Sequence, residues 1–398
     1  MKSGVKNNMT TPNHYVPILK WKRAEQSALQ ALEDKEKNVI TPLIEVVMPT
    51  VSLYRNVGKK EERKRIAKTQ EEISAEILQK FKEKRVKEIP DEILQSWGTR
   101  PIFLDFTLLY NGVQLKTDSL NQIVAAGTDK GLKVIPVFNL NDDQKIKETI
   151  SENYKKYNQG ICLRITPSDL TDTKTLNKKI ETLLKDFNLS RKNIDLLIDI
   201  KEIKENGGQY IQFMNAGQRI DNLSEWRNFI FASGAFPENL SECKLDEPTS
   251  LPRLDWQNWS RHIKEKKLPR SPIFADYTIR NPIFNEALQY FTPTPSIKYT
   301  LDNDWLILKG KMSHHEHYLA NAKLLVEDMT GTFRGEKFSW GDKNIADKAR
   351  YYHQYVKDVK TGKIQDGKAK GAGGNKDWIA WGINHHVIVV LNQIANLP

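Results

Sequence analysis

Four carboxylates in this chain stand where an acid is costly unless it is used. Glu45, Asp105, Asp199 and Asp276 each close, or nearly close, a short run of Ile, Leu, Val and Phe. A charge among such residues costs folding free energy unless it is paired or solvated. Two cations, Lys20 and Arg164, end runs of the same kind. Carboxylates converging beside cations could hold a divalent metal, or act as an acid/base pair next to a clamp for phosphate. The same residues could instead form a ring of structural ion pairs. Residue type alone assigns neither a base nor a metal.

A second concentration of chemistry lies near the C-terminus. Six of the eight histidines fall from residue 314 onward: His314, His315, His317, His353, His385 and His386. His314 and His317 are three apart, which on a helix puts them on one face and makes a metal site conceivable. There is no His-Glu-x-x-His spacing and no cysteine nearby. His385 and His386 are adjacent and must point in different directions, so at most one faces a common site, with Asn384 able to orient its neighbour. Ser339-Trp340-Gly341-Asp342 reads either as a tight turn, with Gly341 at positive φ and Asp342 capping a helix over 343–351, or as a lid carrying Trp340 or Asp342 to a pocket. The run 371–374, Gly-Ala-Gly-Gly, lacks the Lys-Ser/Thr of a phosphate loop and suits a flexible lid. Trp378 and Trp381 suit a packed core or a stacking platform for a base. No Gly-x-Ser-x-Gly elbow is present, and Cys162 and Cys243 stand alone, which argues against covalent serine or cysteine hydrolysis.

The elements that must position these residues repeat eight times. Apolar runs at 15–19, 42–46, 102–106, 134–139, 161–164, 196–199, 229–233 and 273–277 are separated by polar or helix-forming stretches. Near-continuous runs of this length suit strands buried on both faces, as in a parallel sheet. Eight of them predict an α/β fold, a TIM-like (β/α)8 barrel over residues 15–292, with the acids and cations at its C-terminal mouth. Residues 1–14 are expected to be a disordered tail. The charged stretch 59–88 is expected to be a solvated amphipathic helix outside the barrel. From 293 to 398 the pattern changes to a hairpin, a helix, a glycine-bearing loop and a last apolar run. This predicts a C-terminal α+β cap folding over the mouth, with His385 or His386 and Asp342 reaching the pocket.

Composition bounds the setting. The 398 residues carry a net charge of +11, which favours acidic partners such as nucleotides, nucleic acid or an acidic protein without choosing among them. No stretch approaches the about 20 apolar residues of a membrane span. The polar N-terminal residues lack the apolar core of a secretory signal, and two isolated cysteines suit a reducing compartment, so a cytoplasmic protein is expected.

Several segments together carry a resemblance. They are Tyr15-Val-Pro-Ile-Leu-Lys-Trp-Lys22, Pro42-Leu-Ile-Glu45, Leu104-Asp105, Leu163-Arg164, Ser233-Gly-Ala-Phe-Pro237, Asp276-Tyr277, Tyr299-Thr300, Phe338-Ser-Trp-Gly-Asp342, Gly373-Gly-Asn375 and Asn384-His-His386. The chain so resembles the beta family, named for a satellite-phage protein and found in prophage and defence-island cassettes. The resemblance implies a role in phage-related conflict, as an anti-phage component or as an antitoxin or sensor controlling a co-encoded toxic protein. It implies no particular reaction. On the strength of these motifs Tyr277 and Tyr299 join Lys20, Arg164, Trp340, Asp342 and Asn384 as candidate ligand-binding residues, beside Glu45, Asp105, Asp199, Asp276, His385 and His386 as candidate catalytic ones. One departure is Lys309 before Gly310, where arginine is expected, which weakens bidentate anion recognition there. The leading expectation is a pocket that binds, and could hydrolyse, a nucleotide or nucleic-acid phosphodiester in a metal-dependent manner.

Overall fold

The computed structural model describes residues 13–57, 64–110, 112–204, 207–265, 268–367 and 369–397. Its strands are β1 Tyr15–Lys20, β2 Leu43–Glu45, β3 Tyr54–Val57, β4 Lys64–Ala67, β5 Pro101–Asp105, β6 Lys133–Asn139, β7 Ile161–Ile165, β8 Ile194–Glu202, β9 Asn228–Gly234, β10 Thr249–Pro252, β11 Ile273–Asp276, β12 Ser296–Thr300 and β13 Asp304–Lys309. Eight of them, in the order β1-β2-β5-β6-β7-β8-β9-β11, close into a parallel barrel that β11 seals against β1. These are the eight apolar runs of the sequence. The chain is a TIM-like (β/α)8 barrel.

Alternation along each strand sorts the side chains. Val16, Ile18, Leu43, Phe103, Val137, Leu197, Ile230 and Ala275 fill the interior. Their neighbours Tyr15, Leu19, Ile44, Leu104, Phe138, Ile198, Phe231 and Phe274 face the surrounding helices. Those helices are α1 Arg23–Gln30, α2 Asp34–Lys37, α3 Gln70–Lys80, α4 Val86–Ser96, α5 Gly112–Asp129, α6 Gln144–Tyr157, α7 Thr173–Phe187, α8 Gly208–Gln218 and α9 Leu254–Glu265.

After β11 come α10 Glu316–Lys323, α11 Trp340–Lys360 and α12 Asn375–Ala395. The last apolar run is thus the second half of a 21-residue helix. α12 lies against α1 and β1 on the barrel's outside, where it completes the ring of helices at the seam that β11 and β1 close. Residues 378–390 are buried all round, because Ile379, Ile383 and Val387 pack on the barrel core while Trp378 and Trp381 pack in a second core with Tyr299, Leu306, Leu308 and Tyr318. The antiparallel sheet β10-β13-β12 is shared in the same way. Trp305 and Ile307 face the barrel, and Leu306 and Leu308 face the second core.

Two expectations are corrected by this architecture, and the bound of a third is moved at His14. The C-terminal segment packs on the barrel's flank, since its most apolar helix is needed to cover the β11–β1 seam; it does not fold over the mouth. Residues 59–88 are not one helix: β3 and β4 form a hairpin, residues 58–63 lie outside the described residues, and the helix begins after the Thr69 cap, whose hydroxyl accepts from the Glu72 amide. Of the tail expected at 1–14, residues 1–12 lie outside the described residues, and His14 is buried with Nε2 2.8 Å from Thr41 Oγ1. Among the described residues, no helix is long and apolar enough to cross a membrane.

Candidate functional site at the barrel mouth

The strand ends bring six of the expected residues together. Lys20, Glu45 and Asp105 end β1, β2 and β5 in register, Lys20 beside Glu45 and Glu45 beside Asp105. Arg164 reaches in from β7 and Asp199 from β8. The Arg164 guanidinium occupies the centre. It donates to Glu45 Oε1 at 2.9 Å, to Asp199 Oδ2 at 2.5 and 3.0 Å, to Tyr277 Oη at 2.8 Å and to Asp105 Oδ2. All of these side chains are at most 1 % exposed, so the cluster tolerates its burial only because each charge is met by another.

A residue that sequence reasoning missed completes the set. β8 carries a bulge between Asp199 and Glu202. Within it Lys201 is held in the left-handed region at φ 59°, a strained conformation for a residue with a side chain. The bulge aims Lys201 Nζ at Asp199 Oδ2, 3.1 Å away, and at Tyr277 Oη, 3.0 Å away. Its side chain is 26 % exposed, so it is the cation of this cluster most open to solvent. No residue pattern marks it, because the bulge interrupts the period of two that otherwise assigns Leu197 and Asp199 to one strand face.

Asp276 is a correction. The inward positions of β11 and the residue after it are Ile273, Ala275 and Tyr277, so Asp276 points outward and Tyr277 takes its place in the mouth. A one-residue register shift moves a strand's side chains to the other face. Asp276 instead accepts from Tyr15 Oη at 2.5 Å, lies 2.9 Å from His386 Nε2, and accepts from the Thr278 amide at 2.9 Å. The remaining candidates gather on the same flank. His385 stacks on Tyr299 and lies 2.7 Å from Asp342 Oδ2 and 2.9 Å from the Thr300 carbonyl, while Tyr299 donates to Asp342 Oδ1. Asn384 accepts from the Gly341 amide and donates to the Ala28 carbonyl. Trp340 and Asn384 line a flank groove of about 640 Å³ between α1–α2 and α11–α12. None of these seven joins the mouth cluster. Gly341 is also not in a positive-φ turn. It sits in the first turn of α11, where a Cβ would meet Trp381 O at 2.2 Å, and Ser339 rather than Asp342 caps the helix.

The electrostatics of the mouth follow from burial against neighbours. Burial pushes the Glu45 and Asp199 carboxyls up, but Lys201 and Arg164 overcome it and hold both below the usual carboxylate range. Burial lowers Lys20, and Lys201 and Arg280 add to the lowering. Burial and Arg280 likewise lower Lys22 to about 8 and Lys298 to about 7. Arg280 thus stands amid lysines that feel its charge. These cations surround the segment 277–282, to which Lys20 Nζ donates at the Asn281 carbonyl and Lys298 Nζ at the Ile279 carbonyl.

The donor set does not suit a divalent metal. Asp105 Oδ1 already accepts from the Thr107 amide and Asp199 Oδ1 from the Lys201 amide, and the facing oxygens of all three acids bond Arg164. Only Glu45 Oε2 lacks a hydrogen-bond partner, and Lys20 Nζ lies 3.7 Å from it. Lys309 shows why arginine is not required at that position: its Nζ donates to the carbonyls of Leu240 and Cys243.

The profile of the Beta protein family matches residues 15–392, so it spans both the barrel and the C-terminal unit. The chain belongs to the Beta protein family. No curated protein matches it. Among solved structures, a GH138 enzyme targeting pectin rhamnogalacturonan II is similar over 67 % of this chain, with 10 % identity and a TM-score of 0.25. The match spans 46 % of that enzyme's length, and no residue role transfers from it.

Proposed function

We propose that the protein is a component of a phage-defence or prophage cassette whose barrel mouth binds a phosphorylated ligand, a nucleotide or nucleic-acid phosphodiester. The observation that carries this reading is the strained, partly open Lys201 standing beside Lys20, Tyr277 and the buried Arg164 cluster. With Lys22 and Arg280 at the rim, it offers several ammonium and guanidinium donors to one anion. Three carboxylates already committed to Arg164 favour binding over hydrolysis. The test is calorimetric titration with ATP and with a short DNA oligonucleotide as probes. Lys201→Met is expected to weaken binding at least about tenfold, the worth of one charge-assisted hydrogen bond. No binding by the wild type, or equal binding by the variant, would overturn the reading.

A second reading, a non-catalytic antitoxin or sensor that grips a co-encoded toxic protein, is favoured by one feature of the rim. Ile283, Leu288, Tyr290 and Phe291 are exposed on the segment after β11, Phe291 at 69 %. Neighbouring apolar side chains open to solvent are a feature of protein-binding surfaces. This reading expects Phe291→Ser, and not Lys201→Met, to abolish the cassette's effect in cells.

A further inference from the structure

The histidines that begin the C-terminal unit are arranged for a different chemistry. We infer that His314, Glu316 and His317, supported by Asp246, form a transition-metal site at the seam between the connection after β9 and the start of α10. One donor atom from each of His314, Glu316 and His317 lies within 4.8 Å of the other two. Two imidazoles and one carboxylate are the ligand types of Zn²⁺ and its first-row neighbours, with water free to supply a fourth position.

Three further observations point to a ligand. Glu316 Oε1 lies 2.6 Å from His314 Nδ1, while Glu316 Oε2 is buried with no hydrogen-bond partner. An unmatched charged oxygen is costly, and a cation beside it removes the cost. His317 Nδ1 is 2.8 Å from Asp246 Oδ1. A carboxylate on one ring nitrogen fixes the tautomer and leaves the other nitrogen's lone pair for a metal. The backbone is also shaped around the cluster. Asp246 and Ser313 are both left-handed, at φ 57° and 65°, and a Cβ on Gly310 would stand 2.4 Å from His317 Cβ. The Asp246 amide donates to the Lys309 carbonyl at 2.8 Å, which fixes the second-layer carboxylate beside β13. A metal here would tie the 235–253 connection to the C-terminal unit. The site is separate from the barrel mouth and does not depend on the ligand proposed there.

The experiment is a Co²⁺ titration of the full chain after chelator treatment, followed by displacement with Zn²⁺. One equivalent of Co²⁺ with the visible bands of a tetrahedral nitrogen/oxygen site is expected, together with a raised melting temperature. The His314→Ala/His317→Ala variant should lose that equivalent. Asp246→Asn should weaken it about 10–100-fold, as loss of an outer-layer partner does. His353→Ala, whose Nε2 pairs with Glu327 elsewhere on the surface, should bind as the wild type does. If the double variant fails to fold, Glu316→Gln, which preserves side-chain size, carries the same comparison. The inference is overturned if the wild type takes up no Co²⁺ or Zn²⁺ at micromolar concentration, or if the ligand variants retain the full equivalent.

Discussion

At the scale of single residues, Arg164 decides the state of the mouth. It pairs at once with Glu45, Asp105 and Asp199, whose charge it balances only together with Lys20 and Lys201. Removing one partner from a buried ion cluster leaves uncompensated charge and costs about 3–5 kcal/mol. Arg164→Met is therefore expected to lose about that much stability in urea unfolding, and a loss below about 1 kcal/mol would contradict the account. Asp199 belongs to the same cluster. It accepts from Arg164, Lys201 and Tyr277, so Asp199→Asn should lower stability rather than act on function alone. The sequence made most of this cluster legible, since charges at the ends of apolar runs need a reason. It offered both Asp276 and Tyr277 for the mouth, because a four-residue strand leaves register open by one position. It hid Lys201 because the bulge that aims its side chain is a backbone feature with no residue signature.

At the scale of elements, β11 and α12 bury acids that the barrel mouth does not use. Asp255, at the start of α9, is pushed up to about 7, by burial first and then by the nearby Asp276 carboxylate. Its folded-state value lies above the about 3.9 of an unfolded aspartate. The fold therefore favours the protonated form. Stability from this group is complete below about pH 4 and is lost as pH rises through about 7. Asp255→Asn is expected to flatten the fall in melting temperature between pH 5 and pH 8, and an unchanged pH slope would count against this assignment. The helix-packed position of His385 and His386 was not legible in sequence. Adjacent histidines in an apolar helix fit either a pocket or a polar seam, and only the packing of α12 on α1 and β1 chooses the seam.

At the scale of the whole molecule, the C-terminal unit is part of the barrel's structure. The eight-strand barrel was legible because each barrel strand carries a short apolar run and helix-forming stretches separate the runs. The origin of its last covering helix was not, because nearly one hundred residues separate α12 from β11. Ending the chain at residue 292 would uncover the face of α1 and β1 on which α12 packs. The truncated protein is expected to be insoluble or to lack a cooperative melting transition, and a soluble, cooperatively folded 1–292 fragment would refute this dependence. Proton linkage tests the anion-binding mouth most directly. Lys22 and Lys298 have their charge depressed to about 8 and about 7 by burial and by Arg280, and a bound phosphate would restore it. Calorimetric titration with ATP at pH 8, in buffers of different ionisation enthalpy, measures the protons taken up on binding. Net proton uptake that shrinks in Lys22→Met is expected; binding without uptake, or uptake unchanged by that substitution, would rule out an anion site among these lysines.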